Sequence, residues 1–449
     1  MGIKNWVNFL LVIAGTLTFL STANATDEAT QDLPLTLKAA AERALEQSIE
    51  LAQFKFEKDG SDASAKRAWS GFYPKLEIQA SGGTFHDRVP NPGDTVVPTV
   101  ARDRNNYTGQ ILFTQSLFAG FADSATVSAA RSAARAANVK VVLEKNTVID
   151  QVIELYFGVQ LRSKQIEAEE EAAVLRQTQL HDIRARVSAG VSIDMDRLQS
   201  EYVLKTQEPV LESLRSDLEL TSLRLSRLLG YNLDVRLILS DSLESANAVL
   251  STSEVPPLAE AFKQAMSQNL DKVKLEADVD SFDSESRKIA AKHLPTLDLQ
   301  LAAGTNAYMR EDIATQDSLT YSGQLVLNIP IFSGFDSVYE RQERAAGEGA
   351  LKKREALLRE KILNDLDAAY HTWKLALSRI TSETASVRLA DEASRRSRSM
   401  YRVGRSTATE TLDVYQRLVE AKKSLAQAMY DRIISLSKIR TLLGNRFPL

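Results

Sequence analysis

The chain has 449 residues, 44% of them hydrophobic, with 55 basic against 59 acidic side chains and a net charge of −4. It contains no cysteine, and its four histidines, His86, His181, His293 and His371, show no metal-ligand spacing. This balance excludes disulfides, cysteine–metal sites, a lipid-modified N-terminal cysteine and the basic footprint of a nucleic-acid binder.

The N-terminus carries Lys4, an apolar run from Trp6 to Leu20, and then Ala23-Asn24-Ala25. A charged start, a short apolar run and an A-x-A site read as a secretory signal peptide over 1–25, too short to span a membrane as a helix. A helical stretch is expected from Leu37 to Trp69, ended by Pro74, which biases the residue before it towards extended geometry. From about 75 to 84 a strand alternates, with Leu76, Ile78 and Ala80 opposed to Lys75, Glu77 and Gln79. A Pro- and Gly-bearing loop follows, then a second strand over about 106–117, with Tyr107, Gly109, Ile111 and Phe113 opposed to Thr108, Gln110, Leu112 and Thr114.

The spacing then predicts a helix over 120–188, about 100 Å long at ~1.5 Å per residue. Gly190 breaks it, a return helix covers 192–229, and Gly230 is a natural C-cap. Residues 231–257, with Pro256 and Pro257, read as a linker. The order then repeats: helix 258–292, strands over about 296–304 and 320–330, and helices over 336–402 and 407–443 broken at Gly404 and closed by Gly444.

The repetition is written in the residues themselves. YTGQILFTQSLFAGF at 107–121 matches YSGQLVLNIPIFSGF at 321–335 in six of fifteen positions, an offset of 214 that continues through Tyr156/Tyr370 and Gly190/Gly404. Upstream the offset is 221, pairing Leu37 with Leu258 and Pro74 with Pro295. A unit this long is a duplicated half-structure rather than a solenoid repeat, so the mature chain divides into repeats 26–230 and 258–449.

Strands of this length with one polar and one apolar face fit a tilted span across an outer membrane. Four strands cannot close a barrel, and open edges are intolerable in hydrocarbon, so further copies must complete the wall. Three copies give twelve strands, an even number of workable size. The polar faces, with Glu77, Gln79, Thr108, Gln110, Asp298, Gln300, Gln324 and Asn328, would line its lumen. No nucleophile–base–acid set, phosphate loop or cofactor motif recurs in both halves, which points to a conduit and not an enzyme. The expected fold is a mixed α/β membrane protein, a trimeric 12-stranded β-barrel continued by an α-helical barrel.

Pro74-x-Leu76 and Pro295-x-Leu297, the turns Ser116-Leu117-Phe118-Ala119-Gly120 and Pro330-Ile331-Phe332-Ser333-Gly334, and Tyr401-Arg402-Val403-Gly404 with Thr411-Leu412-Asp413-Val414 together resemble the TolC family of outer-membrane efflux and secretion channels. The resemblance covers the whole mature sequence. It implies a homotrimer in the outer membrane of a Gram-negative bacterium, reaching into the periplasm, with an adaptor protein linking it to an inner-membrane RND-type pump or ABC transporter. It also implies that the turns at Val187, Ser188, Ala189, Gly190, Val403 and Gly404 form the periplasmic mouth and the adaptor contact.

Glu410 and Asp413 fall at the family's acidic gate positions, and threefold symmetry would make each a ring of like charge. Thr407-Ala408-Thr409-Glu410 is also a capping box, a purely structural role for Glu410. In the first repeat Asp194 and Asp196 follow Gly190, and Asp196 matches the family's acidic latch; the arginine that latch binds is replaced by Ser406, with Arg402 and Arg405 nearby. Two alternatives stand beside an efflux duct: a type I protein secretion duct, and a non-transport coiled-coil outer-membrane structural protein or adhesin, for which the two matched hairpins have no use.

Overall fold

A computed structural model describes residues 33–90, 99–231, 237–250, 255–307 and 319–445; the signal peptide expected over 1–25 lies outside the described residues. The first half runs β1 (Leu33–Leu35), α1 (Leu37–Gln47), α2 (Ile49–Arg67), a 3-10 turn, β2 (Lys75–Pro90), β3 (Thr99–Ala119), α3 (Ala122–Ser188) and α4 (Asp194–Leu228). The joining segment holds β4 (Leu237–Leu239) and α5 (Leu243–Leu250). The second half runs α6 (Leu258–Gln268), α7 (Leu270–Ala291), β5 (Thr296–Ala307), β6 (Leu319–Asn328), α8 (Asp336–Arg402) and α9 (Ala408–Leu442).

Two expectations need correction. The helices expected over 37–69 and 258–292 are each a pair, broken where Ser48 and Asn269 leave helical geometry. The Ser48 side chain accepts from the Leu51 N–H, and Asn269 from the Asp271 and Lys272 N–H groups. Short polar side chains offer the backbone a cap in place of another helical bond, and here they end one helix and start the next. Nor is the segment 231–257 a plain linker. β4 pairs in parallel with β1, Leu33 opposite Leu237 and Leu35 opposite Leu239, and α5 buries Leu243 and Leu250 against α9.

α3 and α8 have 67 residues each, and both start from a left-handed phenylalanine, Phe121 (φ 69) and Phe335 (φ 66). Each packs edge-on against a ring three residues back, Phe118 or Phe332. Midway along, α3 buries Val152 and Tyr156 in the largest core cluster, and α8 buries Leu366 and Tyr370 in a second. The Tyr156 hydroxyl donates to the Leu35 carbonyl at 2.8 Å, and the Tyr370 hydroxyl to the Pro256 carbonyl at 2.6 Å. Donors are 214 apart and acceptors 221 apart, so the duplication preserves a hydrogen bond along with the sequence. Both bonds satisfy a hydroxyl that would be costly to bury alone.

The strands β2-β3-β5-β6 form one antiparallel sheet in that order, with β3–β5 joining the two halves. β2 pairs with β3 along its whole length, Lys75 opposite Thr114 and Pro90 opposite Thr99. Among the described residues, both outer strands, β2 and β6, have an edge without a partner.

Candidate functional site

Directly opposed residues of neighbouring strands share a face. Glu77 faces Leu112, Leu112 faces Ala302, and Ala302 faces Ser322, which threads one face across all four strands. By this register all eight polar residues singled out on the strands, Glu77, Gln79, Thr108, Gln110, Asp298, Gln300, Gln324 and Asn328, lie on that face. Side-chain ladders tie it together: Gln110 Nε2 donates to Gln79 Oε1 at 3.0 Å, Gln324 Nε2 to Gln300 Oε1 at 2.9 Å, and the Ser81 and Thr108 hydroxyls lie 2.6 Å apart. The opposite face carries Leu76, Ile78, Ile111, Leu301, Tyr321, Leu325 and Leu327, all exposed, with Ile78 at 81% and Tyr321 at 89%. A sheet that turns so much apolar area outward, with no second layer over it among the described residues, is built to meet hydrocarbon.

The long helices neighbour one another in the order α4, α3, α9, α8. The outer members repeat the pattern of the sheet edges. α4 exposes Met195, Leu198, Tyr202, Val210 and Leu220, and α8 exposes Leu357, Leu363, Leu375 and Leu389. Between α3 and α9 a buried ion cluster sets the pairing: Glu169 binds Lys423 and lies 3.6 Å from Arg176, whose Nη2 donates to Gln416 at 2.8 Å. Burial presses the Arg176 pKa down while Glu169 opposes the shift.

The two long-helix turns share one backbone. Gly190 and Gly404 both have φ 72, in the left-handed region that glycine enters without a Cβ penalty. Gly190 N–H bonds Val187 O and Val191 N–H bonds Arg186 O; Gly404 N–H bonds Tyr401 O and Arg405 N–H bonds Met400 O. Both are Schellman closures, which satisfy the last carbonyls of a helix. Val187 is half-buried; Ser188, Ala189, Gly190, Val403 and Gly404 are exposed.

Among the acidic residues of the turns, each is held within its own segment. Glu410 completes a capping box: its Oε2 accepts from Thr407 N–H at 2.9 Å and from the Ser406 hydroxyl at 2.9 Å, while the Thr407 hydroxyl accepts from Glu410 N–H. The Thr407 N–H and then the Ser406 hydroxyl hold the Glu410 carboxyl below its usual range. Asp413 pairs with Arg417 one turn on, at 2.9 Å. Asp196 accepts from the Ser192 hydroxyl at 2.7 Å. Asp194 takes both ends of the Arg197 guanidinium, which lowers its pKa; Arg197 also reaches Glu201, and Glu201 accepts from Arg184.

One group that crosses between the turns is not singled out by the sequence. Arg186 Nη2 donates to the Tyr401 carbonyl at 2.9 Å and the Arg402 carbonyl at 2.7 Å, and its guanidinium lies over the Tyr401 ring, 4.6 Å from the centroid. A basic residue in the last turn of a helix is an ordinary signal for capping its own C-terminus. That this one caps the other repeat's helix is visible only in three dimensions.

The sequence profile of outer membrane efflux proteins matches residues 40–231 and 261–445, which is most of the chain. The chain belongs to the outer membrane efflux protein family. The outer membrane protein TolC of Vibrio cholerae is 21% identical over 411 residues, covering 90% of this chain and 89% of the relative. TolC of Escherichia coli K12 is 25% identical over 204 residues, 43% of this chain and 41% of the relative. Among solved structures, CusC superposes with a TM-score of 0.80 at 16% identity, covering 94% of this chain and 96% of CusC. The open state of the Neisseria gonorrhoeae MtrE channel gives 0.77 at 14% identity, covering 91% and 89%. The structural likenesses establish the fold, and the family profile the class. This member of the efflux family is therefore an outer-membrane exit channel that extends into the periplasm, and not an enzyme.

Proposed function

We propose that copies of this chain close around a common axis, three of them giving a twelve-stranded barrel and a continuous helical tunnel below it. The observation that carries this reading is the incomplete sheet: β2 and β6 are open edges, one face is polar and laddered, and the other is exposed and apolar. α4 and α8 are open edges of the helical wall in the same sense, so one rotation closes both. The polar face then lines the lumen from Glu77 to Asn328, and the apolar face meets outer-membrane lipid.

The duct works as the outer part of a tripartite export system. A periplasmic adaptor meets the turns at Val187–Gly190 and Val403–Gly404, whose glycines have open space around them. An RND-type pump or ABC transporter of the inner membrane supplies the cargo and sets its class, solute or unfolded protein. Glu410, Asp413, Asp196 and Asp194 line the periplasmic mouth and favour cations there, with Arg417 and Arg197 moderating two of the four.

Conductance of the full chain in planar lipid bilayers tests the duct. Discrete single-channel steps with cation preference are expected, reduced in preference by the double substitution Glu410→Ala, Asp413→Ala. Absence of steps overturns the duct, and unchanged selectivity overturns the acidic mouth. A deletion strain that becomes antibiotic-sensitive marks solute efflux; one that only loses a secreted protein marks the secretion duct.

A further inference from the structure

Below the apolar face of the sheet, α2 and α3 enclose a groove of about 690 Å³ whose lining includes Trp69, Phe72, Ser124, Ser128, Arg131 and Arg135. Its place relative to the membrane follows from the strand register. Gln115 stands opposite Leu299, two residues on from Phe113, and so projects from the apolar face. Its side chain donates to the Phe72 carbonyl at 3.3 Å, which seats the turn bearing Trp69 and Phe72 beneath that face. Gly71 lets the same turn close on α3, where a Cβ would lie 2.3 Å from Asp123 Oδ1. The groove therefore continues the apolar face at the level where acyl chains give way to headgroups.

The charges around the groove are unequally occupied. Arg135 pairs with Asp280 at 2.9 Å, and Asp62 with Lys58 at 2.6 Å. The Arg131 guanidinium lies 5.0 Å from the centroid of the Trp69 ring and makes no hydrogen bond or ion pair among the described residues. Lys66, exposed in the last turn of α2, makes none either. Arg131 follows Phe121 by ten residues, ~15 Å along α3, and helix side chains lean towards the N-terminus, here the membrane end. A long basic side chain placed so reaches up to headgroup depth. The second half lacks the arrangement. At the repeat offsets Trp69 and Arg131 become Ala290 and Ala345, and Arg287, at the position of Lys66, bonds the Asp283 carbonyl and the Ser284 hydroxyl.

We propose that this groove seats the headgroup of an anionic phospholipid of the periplasmic leaflet, with Arg131 and Lys66 on its phosphate and the Trp69 and Phe72 rings against the glycerol and first methylenes. The proposal rests on the reading of the apolar sheet face as lipid-facing. Stacking on Trp69 holds the guanidinium in place without neutralising it, so its N–H groups stay available to phosphate. Cations with no internal counter-charge favour a lipid of net negative charge over a zwitterion, by about fivefold for each basic side chain.

Tryptophan fluorescence of the full chain in phosphatidylcholine nanodiscs tests this. A minor share of the lipid carries bromines near the carboxyl end of its acyl chain, on phosphatidylglycerol in one sample and on phosphatidylcholine in the other. The Trp69 signal is the difference between the native chain and Trp69→Phe. Brominated phosphatidylglycerol is expected to quench it several-fold more than brominated phosphatidylcholine at equal share. Arg131→Ala combined with Lys66→Ala should bring the two to equality with the melting temperature unchanged. Arg131→Gln, which keeps bulk against Trp69 without the charge, should lose most of the preference and serves if the double variant melts early. Arg287→Ala, the counterpart in the other half, should leave the preference intact. Equal quenching in the native chain overturns the proposal, as does a preference that survives the loss of both cations or falls equally in Arg287→Ala. If inorganic phosphate erases the preference where chloride of the same ionic strength does not, the groove takes soluble phosphate and the lipid reading is overturned. Ile78→Trp, on the apolar face, separates the two levels of the argument. Quenching there by both lipids upholds the lipid-facing sheet, so that equal quenching at Trp69 removes the headgroup site alone; no quenching at Ile78→Trp removes the lipid-facing reading itself.

Discussion

At Gly190 and Gly404 the long helices α3 and α8 stop with the same φ and the same two back-bonds, yet the helices that return from them start differently. α9 opens on Thr407, whose hydroxyl and backbone are both engaged by the capping box with Glu410. α4 opens on Ile193, which has no side-chain cap, and the first turn relies on exposed ion pairs among Asp194, Arg197, Glu201 and Arg184. A helix stop needs only glycine at one position, so it survives duplication easily. A side-chain cap needs a specific oxygen at the N-cap, and exposed ion pairs are a weak replacement. The first turn is thus the softer of the two, and Arg186 reaches from it to the end of the other repeat's helix.

The shared part of the comparison predicts the largest effects. Gly190→Val and Gly404→Val should each cost about 2–3 kcal/mol, because a β-branched residue is forced to positive φ. Nothing lies within 4 Å of a Cβ at either glycine, so the two costs should be equal. Amide exchange in the adjoining helix ends measures this, and a penalty at one turn alone breaks the equivalence.

The difference between the turns predicts smaller effects. Thr407→Ala should cost about 1 kcal/mol, read as lost protection in the first turn of α9, while Ile193→Ala should cost almost nothing at α4. Smaller still, Ile193→Ser should add about 0.5 kcal/mol by giving α4 the hydroxyl cap it lacks. Equal responses to alanine at the two positions would remove the asymmetry.

Acid gives the smallest effect. The Asp194 and Glu410 carboxyls sit below their usual values, through Arg197 and through the Thr407 N–H. A carboxylate with a depressed folded pKa contributes stability above its unfolded value, lost as pH falls through the folded one. Both helix starts should hold from neutral pH down to about pH 4 and loosen only below it. Chemical shifts of the Asp194 and Glu410 amides against pH report this, and loosening that begins near neutrality contradicts it.

Much of this arrangement is legible in the residues alone. Alternation along 75–80 and 107–114 gives the two sheet faces, and Gly190 and Gly404 mark the turns, because each signal is local. The breaks at Ser48 and Asn269 are local too, but a polar residue inside a helical pattern reads equally well as a solvated face. β4 and α5 are too short for periodicity to find, and their apolar residues acquire meaning only against β1 and α9. Arg186 is the extreme case. Its acceptors lie 215 and 216 residues away, in a contact made by the fold between copies of a sequence in which neither copy repeats it.

The central claim is that one chain is an open piece of wall, at β2 and β6 in the sheet and at α4 and α8 in the helices. Native mass spectrometry of the full chain, extracted from outer membranes in mild detergent, tests it most directly. The account predicts a single assembly of three copies, while a folded monomer or a dimer as the main species would contradict it.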